Sequence, residues 1–217
     1  RERGFLPEAI CNYLALLGWA PGDDRENVTM KELTELFTVE RVHSSPARFD
    51  MKKLEAINGD KIRELKIDEF LERVTPFLIN DGIISGSSGE LAIVKMALPI
   101  IQERIVNLAE VSQMLKFLFV AKFEVEADSL PKIMDEQSQV VLRASIQALE
   151  TLSSWDHGSI HSVLRTALIE ELALKPRTAF GAVRIAVTGS HISPPLFESM
   201  ELLGRDRSLA RIKKAIS

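Results

Sequence analysis

The stretch TGSHISPPLFESMELLG, residues 188–204, closes one helix and opens the next. Thr188 to Ser193 reads as a loop. Pro194-Pro195 stands where a helix takes its first residues, because proline lacks only an amide that the first turn leaves unpaired anyway. Behind it, Leu196, Phe197, Met200, Leu202 and Leu203 recur at helical spacing until Gly204 ends the run. Leu196 and Phe197 fall in the first turn, the most exposed part of a helix. Either they are ordinary core contacts that staple the incoming loop, or they form a platform for a flat ligand.

The same 3.6-residue period extends through the chain. Pro7 and Glu8 suit a first turn, and Ala9, Ile10, Tyr13, Leu14 and Leu17 follow it until Gly18. TMKE (29–32) has the pattern of a capping box, with Thr29 and Glu32 each able to bond the other's amide. It opens a helix carrying Leu33, Leu36 and Phe37. SSPARFD (44–50) reads as a loop ending in Asp50, an N-cap for MKKLEAIN, and Asn58-Gly59 is expected to end that helix. Phe70, Leu71, Val74, Phe77 and Leu78 form the next apolar stripe, broken at Asn80-Asp81-Gly82. SGSSGE (85–90) reads as a loop. Helices are expected near 90–104, 108–120, 138–152, 159–174, 179–188, 194–203 and 206–216. KFEVEA (122–127) alternates but is too short to carry a sheet. The fold class is therefore predominantly all-α, with linkers near 80–90 and 127–138.

The chain has 217 residues, 46% hydrophobic and 27% charged, which is ordinary for a globular protein. One cysteine, Cys11, allows no internal disulfide, which fits a reducing compartment. The most apolar run, LKFLFVAKF (115–123), is interrupted by Lys116 and Lys122 and falls short of the ~20 residues a membrane helix requires. Net charge is −4, but it is unevenly placed. Residues 175–217 hold eight basic and three acidic side chains, leaving 19 basic and 28 acidic in the rest. A basic tail on an acidic body reads either as a surface facing a polyanion or as a solvated helix face.

Catalytic patterns are missing. SGSSGE lacks the Gly-Lys-Ser/Thr ending of a phosphate loop. His157 and His161 in HGSIH have a spacing that could place two ligands on one face, yet no glutamate lies between them and Gly158 is a poor interior residue. They read as surface histidines at a helix start. No Gly-x-Ser-x-Gly turn occurs.

GFLPEAICNYLALLGW (4–19), SSPARFDMKKLEAIN (44–58) and RIAVTGSHISPPLFESMELLGRDRSLARI (184–212) together resemble the bacterial glutamyl-tRNA synthetase family, in order and across the whole chain. That family carries a His-x-Gly-His signature and a later Lys-Met-Ser-Lys-Ser-like loop in its nucleotide-binding domain, and this chain has neither. The resemblance therefore implies the C-terminal portion. Residues 1–66 would form a stem-contact domain, and 67–135 and 136–217 two helical anticodon-binding subdomains. No catalytic residue, metal site or cofactor is implied in this chain. ATP would bind the missing domain of a parent that attaches glutamate to tRNA. The implied partner is glutamate tRNA, with glutamine tRNA left open, for a cytoplasmic monomer without a membrane role.

The resemblance also implies roles for residues. Ser193, Pro194, Leu196 and Phe197 would meet the anticodon bases, with Arg184 nearby. Splayed single-stranded bases stack on apolar and aromatic faces, and a helix N-terminus offers free amides to a polyanion. Arg205 and Arg207, in the basic tail, are candidates for phosphate contacts. Arg48, Lys52 and Lys53 could touch the tRNA stem or simply be solvated. Lys95 or Met96 takes the position that reads the last anticodon base, where the family has a basic residue. Ala56 stands where the family often has Trp. The alternative is a free-standing helical RNA- or protein-interaction module of the same ancestry.

Overall fold

The computed structural model describes residues 3–22, 25–43 and 48–216. Ser44 to Ala47, part of the expected loop, lie outside them. The described residues contain helices and turns and no strand, so the all-α expectation holds. Two compact units meet between Ser112 and Gln113. The boundaries expected at 66/67 and 135/136 fall at helix starts: α4 begins at Ile67 and α7 at Glu136.

The first unit carries α1 (Pro7–Leu16), α2 (Met30–Leu36), α3 (Met51–Glu64), α4 (Ile67–Asn80) and α5 (Ser88–Gln102). The Thr29–Glu32 capping box forms as read, with the Glu32 amide donating to Thr29 Oγ1 at 3.1 Å and the Thr29 amide to Glu32 Oε2 at 2.8 Å. Asp50 caps α3 through the Lys52 amide. SGSSGE is a cap more than a loop. Ser87 is the N-cap of α5, and Glu90 accepts from the amides and hydroxyls of Ser85 and Ser87. Those bonds, the Ser85 hydroxyl first, hold the Glu90 carboxyl down to about 2.

Asn58-Gly59 does not end its helix, because α3 runs on to Glu64. Asn58 is buried and ties the chain together. It accepts from the Leu6 amide at 2.8 Å and donates to the Val106 carbonyl at 2.6 Å. Gly59 faces Val106, where an added Cβ would lie 3.5 Å from its Cγ1. The dipeptide has turn composition, but its partners lie ~50 residues away, and tertiary bonds override local preference. Asn12 acts similarly, accepting from the Val28 amide and donating to the Glu26 carbonyl. Gly4, at φ +78°, is required by a close approach, since a Cβ there would come within 2.4 Å of the Ala109 nitrogen. Phe70, Val74 and Leu78 of α4 and Val94, Leu98 and Ile101 of α5 are fully buried, and the two helices pack together. Leu14, Phe37, Val39 and Phe49 stay exposed.

The chain passes through α6 (Val111–Phe119) into the second unit, with α7 (Glu136–Glu150), α8 (His157–Arg165), α9 (Pro176–Thr188), α10 (Leu196–Leu203) and α11 (Arg205–Lys214). α8 widens into a π-helical turn, Thr166–Glu171. α7 packs against α8, α9 and α11, and α10 covers α8. Asp156 caps α8, so HGSIH is a helix start, as read.

His157 of that start bonds Glu201 of α10 through Nδ1 at 2.8 Å. The Glu201 carboxylate raises the His157 pKa above 6.5. A raised basic pKa stabilises the fold fully below the unfolded value and ceases to do so as pH rises through the folded one. Melting temperatures of the wild type and Glu201→Gln should therefore differ most below the ordinary histidine value of 6.5 and converge as pH rises past the raised folded one. A gap independent of pH would assign the effect to packing.

Candidate nucleic-acid interface

α9 builds one wall of the site. Arg177, Phe180 and Arg184 lie at i, i+3 and i+7, so they share a face. The helix ends at Gly189, whose φ of +84° needs glycine and whose Cβ would meet the Glu124 carbonyl at 2.9 Å. The following loop is tied down at several points. Thr188 Oγ1 donates to the Arg184 and Ser190 carbonyls. The His191 amide donates to Ser129 Oγ, which also lies 2.9 Å from His191 Nδ1. Arg184 Nη1 donates to the Pro194 carbonyl at 2.8 Å and to Ser193 Oγ at 3.1 Å. The arginine thus fixes the loop expected to touch the bases, and Ser193 and Pro194 are both buried.

Pro195 is the N-cap of α10, and the two apolar residues after it divide. Leu196 points into the core with 2% exposure. Phe197 is half-buried and sits in an aromatic cluster. Its ring lies 5.2 Å from Phe180, edge to face at 86°, and 4.6 Å from His161, tilted at 42°. The first turn is therefore both core and surface: one side chain anchors it and the next borders solvent. An open groove of about 640 Å³ runs along α9, lined by Lys132, Asp135, Arg177, Phe180, Arg184 and His191.

The tail arginines have a different place. Arg205 donates to the Leu152 carbonyl at 2.8 Å and the Glu150 carbonyl at 2.9 Å, at the end of α7. Arg207 donates to the Leu118 carbonyl at 2.7 Å, at the end of α6. Arg211, which is buried, donates to the Val187 carbonyl of α9 and the Phe117 carbonyl of α6, each at 2.7 Å, and lies 4.0 Å over the Phe123 ring. Carbonyls in a helix's last turn have no partner within the helix and carry its negative dipole end. These three arginines satisfy them. Lys213 pairs with Glu150. Much of the tail's positive charge thus serves the fold, which a charge count could not separate from phosphate docking.

The remaining candidates lie in the first unit. Lys95 forms an ion pair with Asp68, and Met96 beside it is exposed. Arg48 and Lys52 are exposed, while Lys53 pairs with Glu26 at 2.6 Å. The residues that sequence reading missed are His161, Phe180, Arg177 and Lys132. The i, i+3, i+7 spacing from Arg177 to Arg184 was a usable signal for two of them. His161 and Lys132 reach the site only through tertiary packing.

Comparison with known proteins now places the chain. Residues 69–216 match the family model described as anticodon binding domain. Residues 1–56 match the model for the catalytic domain of class I tRNA synthetases (E and Q). A glutamate–tRNA ligase of a Nocardioides species is 46% identical over 100% of this chain, and that of Saccharopolyspora erythraea is 46% identical over 98%. The chain covers 45% and 43% of those proteins, less than half their length. The crystal structure of a glutamate tRNA ligase from Elizabethkingia meningosepticum superposes with a TM-score of 0.78 over 98% of this chain and 41% of that one, at 24% identity, which speaks to the fold. With the family model matching residues 69–216 and glutamate–tRNA ligase relatives aligned along the full length, this chain belongs to the anticodon binding domain family.

Proposed function

We propose that this chain is the tRNA-recognising part of a glutamate–tRNA ligase and that it acts by binding the anticodon. One observation carries the reading: Arg184 pins the Ser193–Pro194 loop beside a half-exposed aromatic cluster that borders an open, basic groove. Stacking surfaces next to cations suit unpaired bases on a phosphate backbone. Ser193, Pro194 and Leu196 shape the loop, and Phe197 presents the ring. Lys95 would read the last anticodon base only by exchanging Asp68 for it, so the choice between glutamate and glutamine tRNA rests on that ion pair. Arg48 and Lys52 are free to approach a stem. Ligase relatives along the whole chain disfavour a free-standing interaction module.

The proposal assigns glutamate activation with ATP, and transfer to the tRNA 3′ end, to the remaining length of the relatives. It places the protein as a cytoplasmic monomer. No described helix is long and apolar enough to cross a membrane. Two measurements test the reading. The purified chain should bind glutamate tRNA and lose affinity for a tRNA differing only in its anticodon. It should also give no glutamate-dependent ATP–pyrophosphate exchange. Equal binding of both tRNAs, or exchange above background, would overturn it.

A further inference from the structure

Arg205, Arg207 and Arg211 of the basic tail are committed to helix ends, so the phosphates need other cations. The groove along α9 supplies them. Lys132 and Arg177 are exposed on its lining, and neither has an ion pair among the described residues. Several other basic residues of this unit are engaged, among them Lys116 with Glu126, Lys213 with Glu150, and Arg211 with two carbonyls. The one acidic side chain lining the groove, Asp135, is the N-cap of α7. Its oxygens accept from the Ser138 hydroxyl at 2.7 Å and amide at 2.9 Å, so it is directed at its own helix. The groove is therefore net cationic in a chain of net charge −4. It is continuous with the recognition loop, because Arg184 both lines it and holds Ser193 and Pro194.

We infer that Lys132 and Arg177 hold backbone phosphates of the single-stranded anticodon loop. They position the strand so that its bases meet the Phe180–Phe197 edge, and they read no sequence themselves. This rests on the tRNA-binding reading above. Point charges on phosphates fix register and orientation, whereas base contacts specify. The two functions should therefore separate in experiment.

The test is tRNA titration at several salt concentrations with the wild-type chain, Lys132→Gln/Arg177→Gln, and Arg143→Gln. Arg143 is exposed on α7 outside the groove lining and serves as control. Each single-strand phosphate neutralised contributes about 0.7 to the slope of log affinity against log salt. The double variant should flatten that slope by about 1.4 and weaken the cognate tRNA and its anticodon-swapped counterpart by the same factor. Melting should be unchanged, since both side chains are exposed. Arg143→Gln should leave the slope as it was. An unchanged slope in the double variant, or equal flattening by Arg143→Gln, overturns the inference while leaving tRNA binding intact. A wild-type chain without tRNA affinity overturns the underlying reading, and the inference with it.

Discussion

Arg211→Leu is expected to destabilise the second unit by about 3–6 kcal/mol, the sum of two charge-assisted hydrogen bonds at roughly 1.5–3 kcal/mol each. The guanidinium is buried and joins the ends of α9 and α6 through the Val187 and Phe117 carbonyls. Burial, and then the neighbouring Arg207, push its pKa down to about 10, so it stays charged at neutral pH. An apolar replacement fills the volume but leaves two buried carbonyls without donors, so the usual neutrality of swapping buried charge for hydrocarbon does not apply. A loss of this size is a large share of the ~5–15 kcal/mol that holds a typical domain. Arg207→Leu removes one bond from an exposed side chain and should cost no more than about 1 kcal/mol. Urea titration of both variants provides the check. A cost for Arg211→Leu below about 1 kcal/mol would mean that the carbonyls find other partners. The tail would then be free for RNA after all.

The second large effect divides the first turn of α10. Leu196 is core, so Leu196→Ala should cost about 2–5 kcal/mol of stability, with tRNA binding lost only as the fold is lost. Phe197 is half-buried against Phe180 and His161. Phe197→Ala forfeits those ring contacts, worth roughly 0.5–1.5 kcal/mol per pair. It should weaken binding of glutamate tRNA by a further ~1–3 kcal/mol if a base stacks there. Arg184→Ala releases the loop beside it, so its loss and that of Phe197 should be non-additive in binding. Thermal melting beside tRNA titration for the three single variants and the Arg184/Phe197 double decides the matter. If Phe197→Ala melts as far below the wild type as Leu196→Ala does, or binds tRNA unchanged, both residues belong to the core.

The groove test and these variants address different atoms. Lys132 and Arg177 should move the salt slope, whereas Phe197 should move discrimination between anticodons. Loss of both properties from either set alone would contradict that division of labour.

Short-range hydrogen bonds and helical period account for the part of the structure that is legible in the residues alone. Thr29 and Glu32, three residues apart, form the capping box their types announce. Asp50 starts α3 and Pro194-Pro195 leads into α10, because a cap needs only a side-chain oxygen or a preset φ near its own backbone. The all-α class and the family resemblance follow from such local patterns repeated along the chain. The remainder depends on partners that are distant along the chain. Asn58 continues its helix because the Val106 carbonyl, 48 residues away, takes its amide. Arg211 is structural because a carbonyl 94 residues away needs a donor. Leu196 and Phe197 are neighbours of equal hydrophobicity, and a 100° step around the helix axis turns one to the core and the other toward His161 and Phe180. A composition count sees charge and apolarity at each position. Which buried carbonyl, ring or groove a side chain reaches is set by packing between helices, and the linear order does not contain that distance.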